Sequence, residues 1–174
     1  FVFLFFFTII WRSFIIQKLN FFEYFIILLI VVVGLLFLIS SYNLISIYLG
    51  LEIQALGFYI LASFDRNSIF SSESGLKYFI SSSLISGVFL LGAALIYGSL
   101  GTINLYQIEF LLLNFFEYPT NFSFSFFFLG IFLILNALLF KLVIAPFHFW
   151  FPQIYDGAPL SSTIIFSILP KIAL

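Results

Sequence analysis

Long apolar runs joined by short polar connections make up nearly the whole chain. A transmembrane helix needs about 20 consecutive, mostly apolar residues to cross the hydrocarbon core of a bilayer. The runs therefore predict an all-α, polytopic transmembrane helix bundle of about six helices, one of them broken at Pro146. The predicted helices are Phe1–Ile16 (cut short at its beginning), Tyr24–Ser40, Leu44–Phe64, Lys77–Tyr97, Phe122–Trp150 and Leu160–Leu174.

Polar residues mark the connections between these predicted helices. A very short turn follows Ser40, and a polar loop runs from Asp65 to Lys77. We expect Thr102–Asn121 to lie outside the membrane with a short amphipathic helix at the interface, and we expect Phe151–Pro159 to be a loop. The expected division is a partial N-terminal helix over residues 1–20 and a membrane domain over residues 21–174.

Lysine and arginine are distributed unevenly over the connections. Lys18 and the loop Arg66–Lys77 fall on one predicted side of the membrane, whereas the turn after Ser40 and the segment Thr102–Asn121 contain neither residue type. Connections that carry Lys and Arg are retained on the cytoplasmic or matrix side. We therefore expect the Lys18 and Arg66–Lys77 loops on that side.

Composition restricts the chain to an integral membrane protein. Of its 174 residues, 64% are hydrophobic and 7% are charged, whereas soluble domains carry about 25% charged residues. There is no cysteine and only one histidine, so this chain alone cannot build a thiolate-bound iron–sulfur cluster or a bis-histidine haem. We expect no cofactor and no metal site in it. The net charge of -1 also excludes a nucleic-acid-binding surface.

The most abundant residue types indicate the kind of genome that encodes the chain. Phe occurs 29 times, together with many Ile, Leu, Tyr and Asn residues, and these types have AT-rich codons. The bias favours an AT-rich organellar genome. The absence of methionine leads us to expect a processed, non-standard or truncated start.

A charge and a helix breaker follow a long uncharged segment in the run Phe122–Trp150. Lys141 comes directly after the uncharged residues Tyr118–Phe140, and Pro146 follows it closely. A charge deep in an apolar span marks an ion or proton path by default, and proline interrupts a helix because it lacks an N–H. Broken helices at membrane depth face protein or water. The stretch therefore predicts a polar cavity inside the membrane.

Four ionisable residues are candidates for proton transfer, namely Glu52, Lys141, Lys171 and His148. A carboxylate and a lysine in a medium of low dielectric constant stabilise each other's charge, so a pair that opens and closes can act as a proton switch. Structural alternatives are open for each. Glu52 could be a neutral acid bonded to Tyr48 or Gln54, and Lys141 could snorkel to the interface. Lys171 could face water or pair with the terminal carboxylate, and His148 could be structural rather than a relay.

Four segments resemble a known family. The residues from Lys141 to Pro159 follow the pattern K-x-x-x-A-P-F-H-F-W-x-P-x-x-x-x-G-x-P, which resembles NADH dehydrogenase subunit 2, an antiporter-like membrane subunit of respiratory complex I. The segments Tyr48–Ile53 and Gly75–Phe79 resemble the family's glutamate helix and the start of the next helix. Pro170 and Lys171 fall where the family has a lysine in the middle of the membrane.

The resemblance implies a function and a set of roles. Glu52 would be the carboxylate partner of a pumping lysine, Lys141, and Lys171 would be the next lysine along a hydrated axis in the membrane plane. The chain would be a proton-translocating subunit of NADH:ubiquinone oxidoreductase in the mitochondrial inner membrane, driven by quinone reduction elsewhere in the complex. Its partners would be other membrane-arm subunits.

The resemblance also implies an architecture of inverted repeats, of which this chain would hold the first. The last predicted helix, Leu160–Leu174, is short for a membrane span, so we expect this to be the N-terminal piece of a split subunit. A second polypeptide would supply the C-terminal repeat.

Three other functions compete with this one. The first is a cation/proton antiporter subunit outside complex I that uses the same residues. The second is a scaffold half-subunit that does not pump. The third is a membrane enzyme that uses His148, which is disfavoured because no second ligand and no nucleophile–base pair accompanies that histidine.

Overall fold

The structure is a computed structural model that describes residues 21–65, 67–115 and 124–173. The described residues form a bundle of α-helices, which confirms the predicted all-α class. The predicted helix Phe1–Ile16, together with Lys18 and Arg66, lies outside the described residues. In chain order the described helices are α1 (Phe21–Ile39), α2 (Leu44–Ala62), α3 (Ile69–Leu100), α4 (Leu105–Phe115), α5 (Phe124–Lys141), α6 (Phe151–Gly157) and α7 (Leu160–Ala173).

Three of these helices, α1, α2 and α3, are long and apolar enough to cross a membrane. The apolar parts of α5 and α7, Ser125–Lys141 and Leu160–Lys171, are shorter. Large apolar side chains such as Phe22, Leu36 and Leu84 are exposed on the surface of the bundle. Such a surface suits lipid or neighbouring membrane chains rather than water.

Glycines bring α1 and α2 close together. A Cβ atom added to Gly34 would lie 2.8 Å from the backbone nitrogen of Gln54, and one added to Gly57 would collide with the side chain of Val31. Small residues allow this close approach between membrane helices, where packing rather than the hydrophobic effect holds helices together. The contact fixes the position of α2, which carries Glu52.

A second close crossing joins α3 to α5. A Cβ atom added to Gly92 would lie 2.8 Å from the carbonyl oxygen of Gly130, and one added to Gly130 would lie 2.9 Å from that of Gly92. The two backbones therefore touch at this point. Helix α5 is thereby held against α3, with Lys141 at its end.

Helix α3 begins earlier than the sequence predicts. We expected a polar loop as far as Lys77, but the helix starts at Ile69. Ser68 caps it by accepting a hydrogen bond from the Ser71 nitrogen, and the Ser71 hydroxyl donates to the carbonyl oxygen of Ala62 at 2.8 Å. These bonds satisfy the polar atoms of the serines and one carbonyl at the end of α2, so the serine-rich segment is stable as buried helix.

Helix α4 is the short helix predicted within Thr102–Asn121. Ile108 and Leu112 on one side pack onto the bundle, whereas Phe110 and Leu113 are exposed. The backbone nitrogen of Leu105 donates to the Tyr42 carbonyl oxygen at 3.0 Å, which ties this segment to the turn between α1 and α2. Its location at the membrane interface stays a prediction.

Helix α6 replaces the loop that we expected over Phe151–Pro159. Pro152 lies in the first turn of α6, where no intrahelical N–H bond is needed and the fixed φ of proline suits a helix. A Cβ atom added to Gly157 would collide with the carbonyl oxygen of Phe70, so this glycine lets α6 lie directly on α3. The expectation of a loop was wrong because Pro152 acts as a helix starter rather than a breaker.

Helix α7 closes the bundle against α2. The Ser162 hydroxyl donates to the carbonyl oxygen of Leu61 at 2.8 Å, and both residues are fully buried. Phe166 packs on Phe58 with ring centroids 5.0 Å apart. The helix Leu160–Ala173 agrees with the predicted one, and it places Pro170 and Lys171 near its end.

Candidate functional site

An acid and an amine meet between α2 and α5. The Lys141 Nζ lies 3.9 Å from the Glu52 Oε1, and the two side chains are 11% and 23% exposed. This Oε1 atom is buried and makes no hydrogen bond within the described part of the chain. The distance is that of a loose ion pair, wider than a direct hydrogen bond of about 2.7–3.2 Å. The two groups are near enough for each to govern the charge of the other.

The position of Lys141 follows from the way in which α5 ends. Lys141 is the last residue of the helix. Beyond it the backbone nitrogens of Val143 and Ile144 donate to the carbonyl oxygens of Phe140 and Leu139, both at 3.1 Å. These two bonds form the Schellman arrangement that closes a helix. A cation in the last turn is stabilised by the partial negative charge of the helix C-terminus.

The helix break predicted at Pro146 thus begins several residues earlier. Val143 occupies the left-handed position of the closing motif, with φ of 60°. Glycine or asparagine is usual there, and a β-branched residue at positive φ is an outlier. Such conformations cost about 1–3 kcal/mol and cluster at functional sites. Residues 142–150 then form successive turns before α6 begins.

Aromatic rings hold the segment after the break against the bundle. Trp150 stacks on Phe140 with ring centroids 5.4 Å apart, and it also stacks on Tyr78 of α3 at 5.3 Å. Trp150 is 9% exposed, so its ring is nearly enclosed. The stack holds Phe140, the residue before Lys141 at the end of α5, against α3.

A cavity of about 20 Å³ adjoins Lys141. Its polar lining comes from Gln54, Tyr78, Ser82, Lys141 and Trp150, and its apolar lining comes from Leu51, Ala55, Phe58, Phe140 and Pro170. Gln54 and Ser82 are each 4% exposed. A space of this size holds about one water molecule where polar partners surround it. Lys141 therefore approaches the acid and also lines a partly polar cavity.

Glu52 and Gln54 do not share a face of α2. Residues two apart on a helix point in different directions, and Gln54 lines the cavity whereas Glu52 approaches Lys141. The Oε1 atoms of both side chains lack hydrogen-bond partners within the described residues. Sequence reasoning treated Gln54 only as a possible partner of Glu52 and missed Gln54, Ser82 and Trp150 as neighbours of Lys141. The sequence signal available for Gln54 was the presence of a polar amide within an apolar helix.

The other two candidates lie apart from this pair. Lys171 is exposed on α7, although its neighbour Pro170 is buried and lines the cavity. His148 is exposed in the turns between α5 and α6. Neither residue lines the cavity. Their roles in proton transfer, like those of Glu52 and Lys141, stay predictions.

The remaining described charges include a surface pair. The Lys77 Nζ lies 2.8 Å from the Glu73 Oε1, one helical turn away on α3, and both side chains are about half exposed at 46% and 53%. Exposed pairs of this kind contribute about 0.3–0.5 kcal/mol. Glu73 thus lies in a helix rather than in the loop we expected, and Lys77, the expected first residue of that helix, lies within it. Among the described residues, no cluster of three or more potential metal ligands is found.

Comparison with known sequences gives the family. The profile of the NADH:quinone oxidoreductase/Mrp antiporter transmembrane family matches residues 41–174. The chain is 43% identical over 151 residues to NADH-quinone oxidoreductase subunit N of Pelagibacter ubique, covering 87% of this chain and 30% of that protein. It is 40% identical over 158 residues to NADH-ubiquinone oxidoreductase chain 2 of Marchantia polymorpha, covering 91% of this chain and 32% of that protein.

Comparison with solved structures agrees with the sequence matches. A chain of respiratory complex I from Thermus thermophilus superposes with a TM-score of 0.73 at 32% identity, covering 87% of this chain and 32% of that one. A chain of the Mrp complex from Dietzia sp. gives a TM-score of 0.71 at 23% identity, covering 84% and 27%, which shows the shared fold alone. The chain spans about a third of the length of the proteins it matches. It belongs to the NADH:quinone oxidoreductase/Mrp antiporter transmembrane family.

Proposed function

We propose that this chain is a proton-translocating membrane subunit of NADH:ubiquinone oxidoreductase, located in the mitochondrial inner membrane. The observation that carries the proposal is the Glu52–Lys141 pair, in which a loosely paired amine ends one helix and an acid lies within another. The membership of the family and the identity to subunit N and chain 2 relatives support the assignment to this enzyme. The abundance of residue types that have AT-rich codons, such as Phe, supports an organellar gene.

The pair works as a switch because neither charge is stable alone in this setting. Lys141 is almost enclosed, and an isolated buried charge carries a desolvation cost of several kcal/mol, of the order given for ions in protein interiors. While Glu52 is ionised and near, the ammonium keeps its proton. When Glu52 is neutralised or moves away, Lys141 loses its countercharge and gives up its proton. Quinone reduction elsewhere in the assembly would drive this change, and this chain would hold no redox cofactor.

Lys171 and His148 would act on either side of this switch. Lys171 lies beside Pro170, whose ring borders the cavity next to Lys141, so we assign it as the next proton carrier. We assign His148, exposed in the turns after α5, as a relay to the outside. A charged lysine exposed on an apolar helix is costly in contact with lipid, so it requires contact with other protein. We assign that contact to other membrane-arm subunits and to a second polypeptide that supplies the C-terminal repeat.

Replacing Lys141 tests the proposal. In the assembled complex, Lys141→Ala is expected to lower the number of protons pumped per electron, measured in sealed vesicles with NADH as donor. Lys77→Ala is the matched control, because it removes the same charge from a surface pair. Unchanged proton pumping in Lys141→Ala, at an unchanged amount of complex, would contradict the proposal.

The alternatives are less well supported. The higher identity to a complex I chain than to an Mrp chain, 32% against 23%, favours complex I over a separate antiporter. A scaffold that no longer pumps would need neither the acid beside Lys141 nor the polar cavity. Co-purification of the chain with NADH dehydrogenase activity would distinguish a complex I subunit from a separate antiporter. A mass spectrum of that complex would identify the second polypeptide.

A further inference from the structure

Two side chains in the cavity next to Lys141 have polar atoms without partners. The Gln54 Oε1 and the Trp150 Nε1 are both buried and make no hydrogen bond within the described part of the chain. Their residues are 4% and 9% exposed, and both line the cavity. Buried polar atoms in proteins nearly always find a partner, in the protein or in an ordered water.

The two atoms are complementary in hydrogen bonding. The Gln54 carbonyl oxygen only accepts, and the Trp150 ring nitrogen only donates. A water molecule can donate to the first and accept from the second at the same time. The cavity of about 20 Å³ has room for one such molecule, and Lys141 and Ser82, which carry further polar groups, also line it.

We propose that Gln54 and Trp150 are positioning residues that hold an ordered water against Lys141, in the cavity that they line together. The inference rests on the proposed function, since the water accepts the proton that Lys141 releases. The Lys141 Nζ donates a hydrogen bond to this water, and as the countercharge of Glu52 is lost the proton passes to the water oxygen. The water then gives one of its own protons to Lys171, the carrier assigned above, whose neighbour Pro170 lines the same cavity.

The local packing explains why these two residues can hold the water in place. Trp150 is stacked between Phe140 and Tyr78, with interplanar angles of 15° and 14°, so its ring cannot rotate freely. Gln54 lies where Gly34 lets α1 touch the backbone of α2. The Trp150 ring and the Gln54 backbone are therefore held in place, which limits the entropy lost in fixing a water.

The first test is a density map of the assembled wild-type complex at a resolution that shows waters. We expect an ordered water within hydrogen-bond distance of both the Gln54 Oε1 and the Trp150 Nε1. A cavity without this water, or one filled by a side chain, would overturn the inference and would leave the proposed function of Lys141 untouched.

The second test uses variants that remove one polar atom each. Trp150→Phe keeps an aromatic ring in the stack but loses the N–H, and Gln54→Met keeps the length of the side chain but loses the carbonyl. Each should lose the water from the map and lower the protons pumped per electron, by less than Lys141→Ala does, at an unchanged amount of complex. Ser86→Ala is the control, because it removes a buried hydroxyl of α3 that does not line the cavity.

The outcomes separate the two proposals. Loss of pumping in Lys141→Ala with full pumping in both cavity variants would overturn the role of Gln54 and Trp150 alone. Full pumping in Lys141→Ala would overturn the proposed function. Partial loss in both cavity variants together with loss of the water supports the inference.

Discussion

Lys141 and Glu52 approach to 3.9 Å although one residue ends α5 and the other lies within α2, two helices far apart in the chain. Glycine contacts at two helix crossings make this approach possible. Gly34 and Gly57 hold α2 on α1, and Gly92 with Gly130 holds α5 on α3. The distance between acid and amine is therefore a property of the whole bundle rather than of a local motif.

The first prediction concerns the two members of this pair. Lys141→Met leaves a largely buried carboxylate without a countercharge, so we expect it to lower stability by about 3 kcal/mol. The double variant with Glu52→Gln removes both charges and should recover most of that loss, since replacing both partners of a buried pair is often nearly neutral. The midpoint of thermal unfolding of the purified complex measures the effect.

Proton pumping should not recover in the same double variant. Stability restored without pumping would assign the pair to the mechanism, whereas additive losses of stability would show that the two charges do not interact. Glu73→Gln with Lys77→Ala gives the matched cycle at an exposed pair, where we expect a coupling below about 1 kcal/mol.

The second prediction concerns Val143. Its φ of 60° suits glycine, so Val143→Gly should relieve strain of about 1–3 kcal/mol, partly offset by about 0.5–1 kcal/mol of added backbone entropy in the unfolded chain. We expect a small rise in the unfolding temperature of the complex. Val143→Ala, which keeps a Cβ atom, should fall between the glycine variant and the wild type. A lower stability in Val143→Gly would mean that the valine side chain contributes more by packing than its backbone costs.

The third prediction concerns the crossing of α3 and α5. Gly130→Ala places a Cβ atom 2.9 Å from the carbonyl oxygen of Gly92, and backbone cannot move aside as a flexible side chain can. Overpacking of this kind costs about 1–3 kcal/mol, so the amount of assembled complex should fall. Gly87→Ala on α3 is the control, because nothing lies within 4 Å of the added atom there. Equal amounts of complex in both variants would contradict the close crossing.

Much of the fold could be predicted from the sequence, because a helix that crosses the membrane needs a long run of apolar residues. Uncharged apolar runs predicted the ends of α1, α2 and α7 to within about three residues, and the short polar turn between α1 and α2 was visible as Ser40 and Ser41. The start of α3 was missed because serines favour loops in isolation, and only the carbonyl oxygen of Ala62 at the end of α2 makes a buried hydroxyl favourable at Ser71. That partner comes from tertiary structure and has no signature in the local sequence.

The candidate site could be predicted only in part for a similar reason. Lys141 and Glu52 are conspicuous because charges are rare in apolar spans. Gln54 stands out as an amide in an apolar helix, but its link to Trp150 exists only after the segment beyond the break has packed on α3, since their shared cavity joins residues distant in the chain. The end of α5 also depends on a positive φ at a valine, which sequence preferences argue against.

The last prediction tests the orientation of the chain, because the chain contains no cysteine and single cysteines can be introduced as labels. Ser72 lies near the start of α3, on the side we assign to the matrix, and Ser40 lies in the turn between α1 and α2. Both are exposed, and both hydroxyls bond only within their own turn, at 2.9 Å and 3.1 Å, so Ser72→Cys and Ser40→Cys should leave the fold unchanged. In sealed vesicles with the matrix side outward, a membrane-impermeant maleimide should label Ser72→Cys and reach Ser40→Cys only after detergent is added. We expect this pattern because Lys and Arg near a span hold it on the matrix side. The reverse labelling pattern would contradict the predicted orientation.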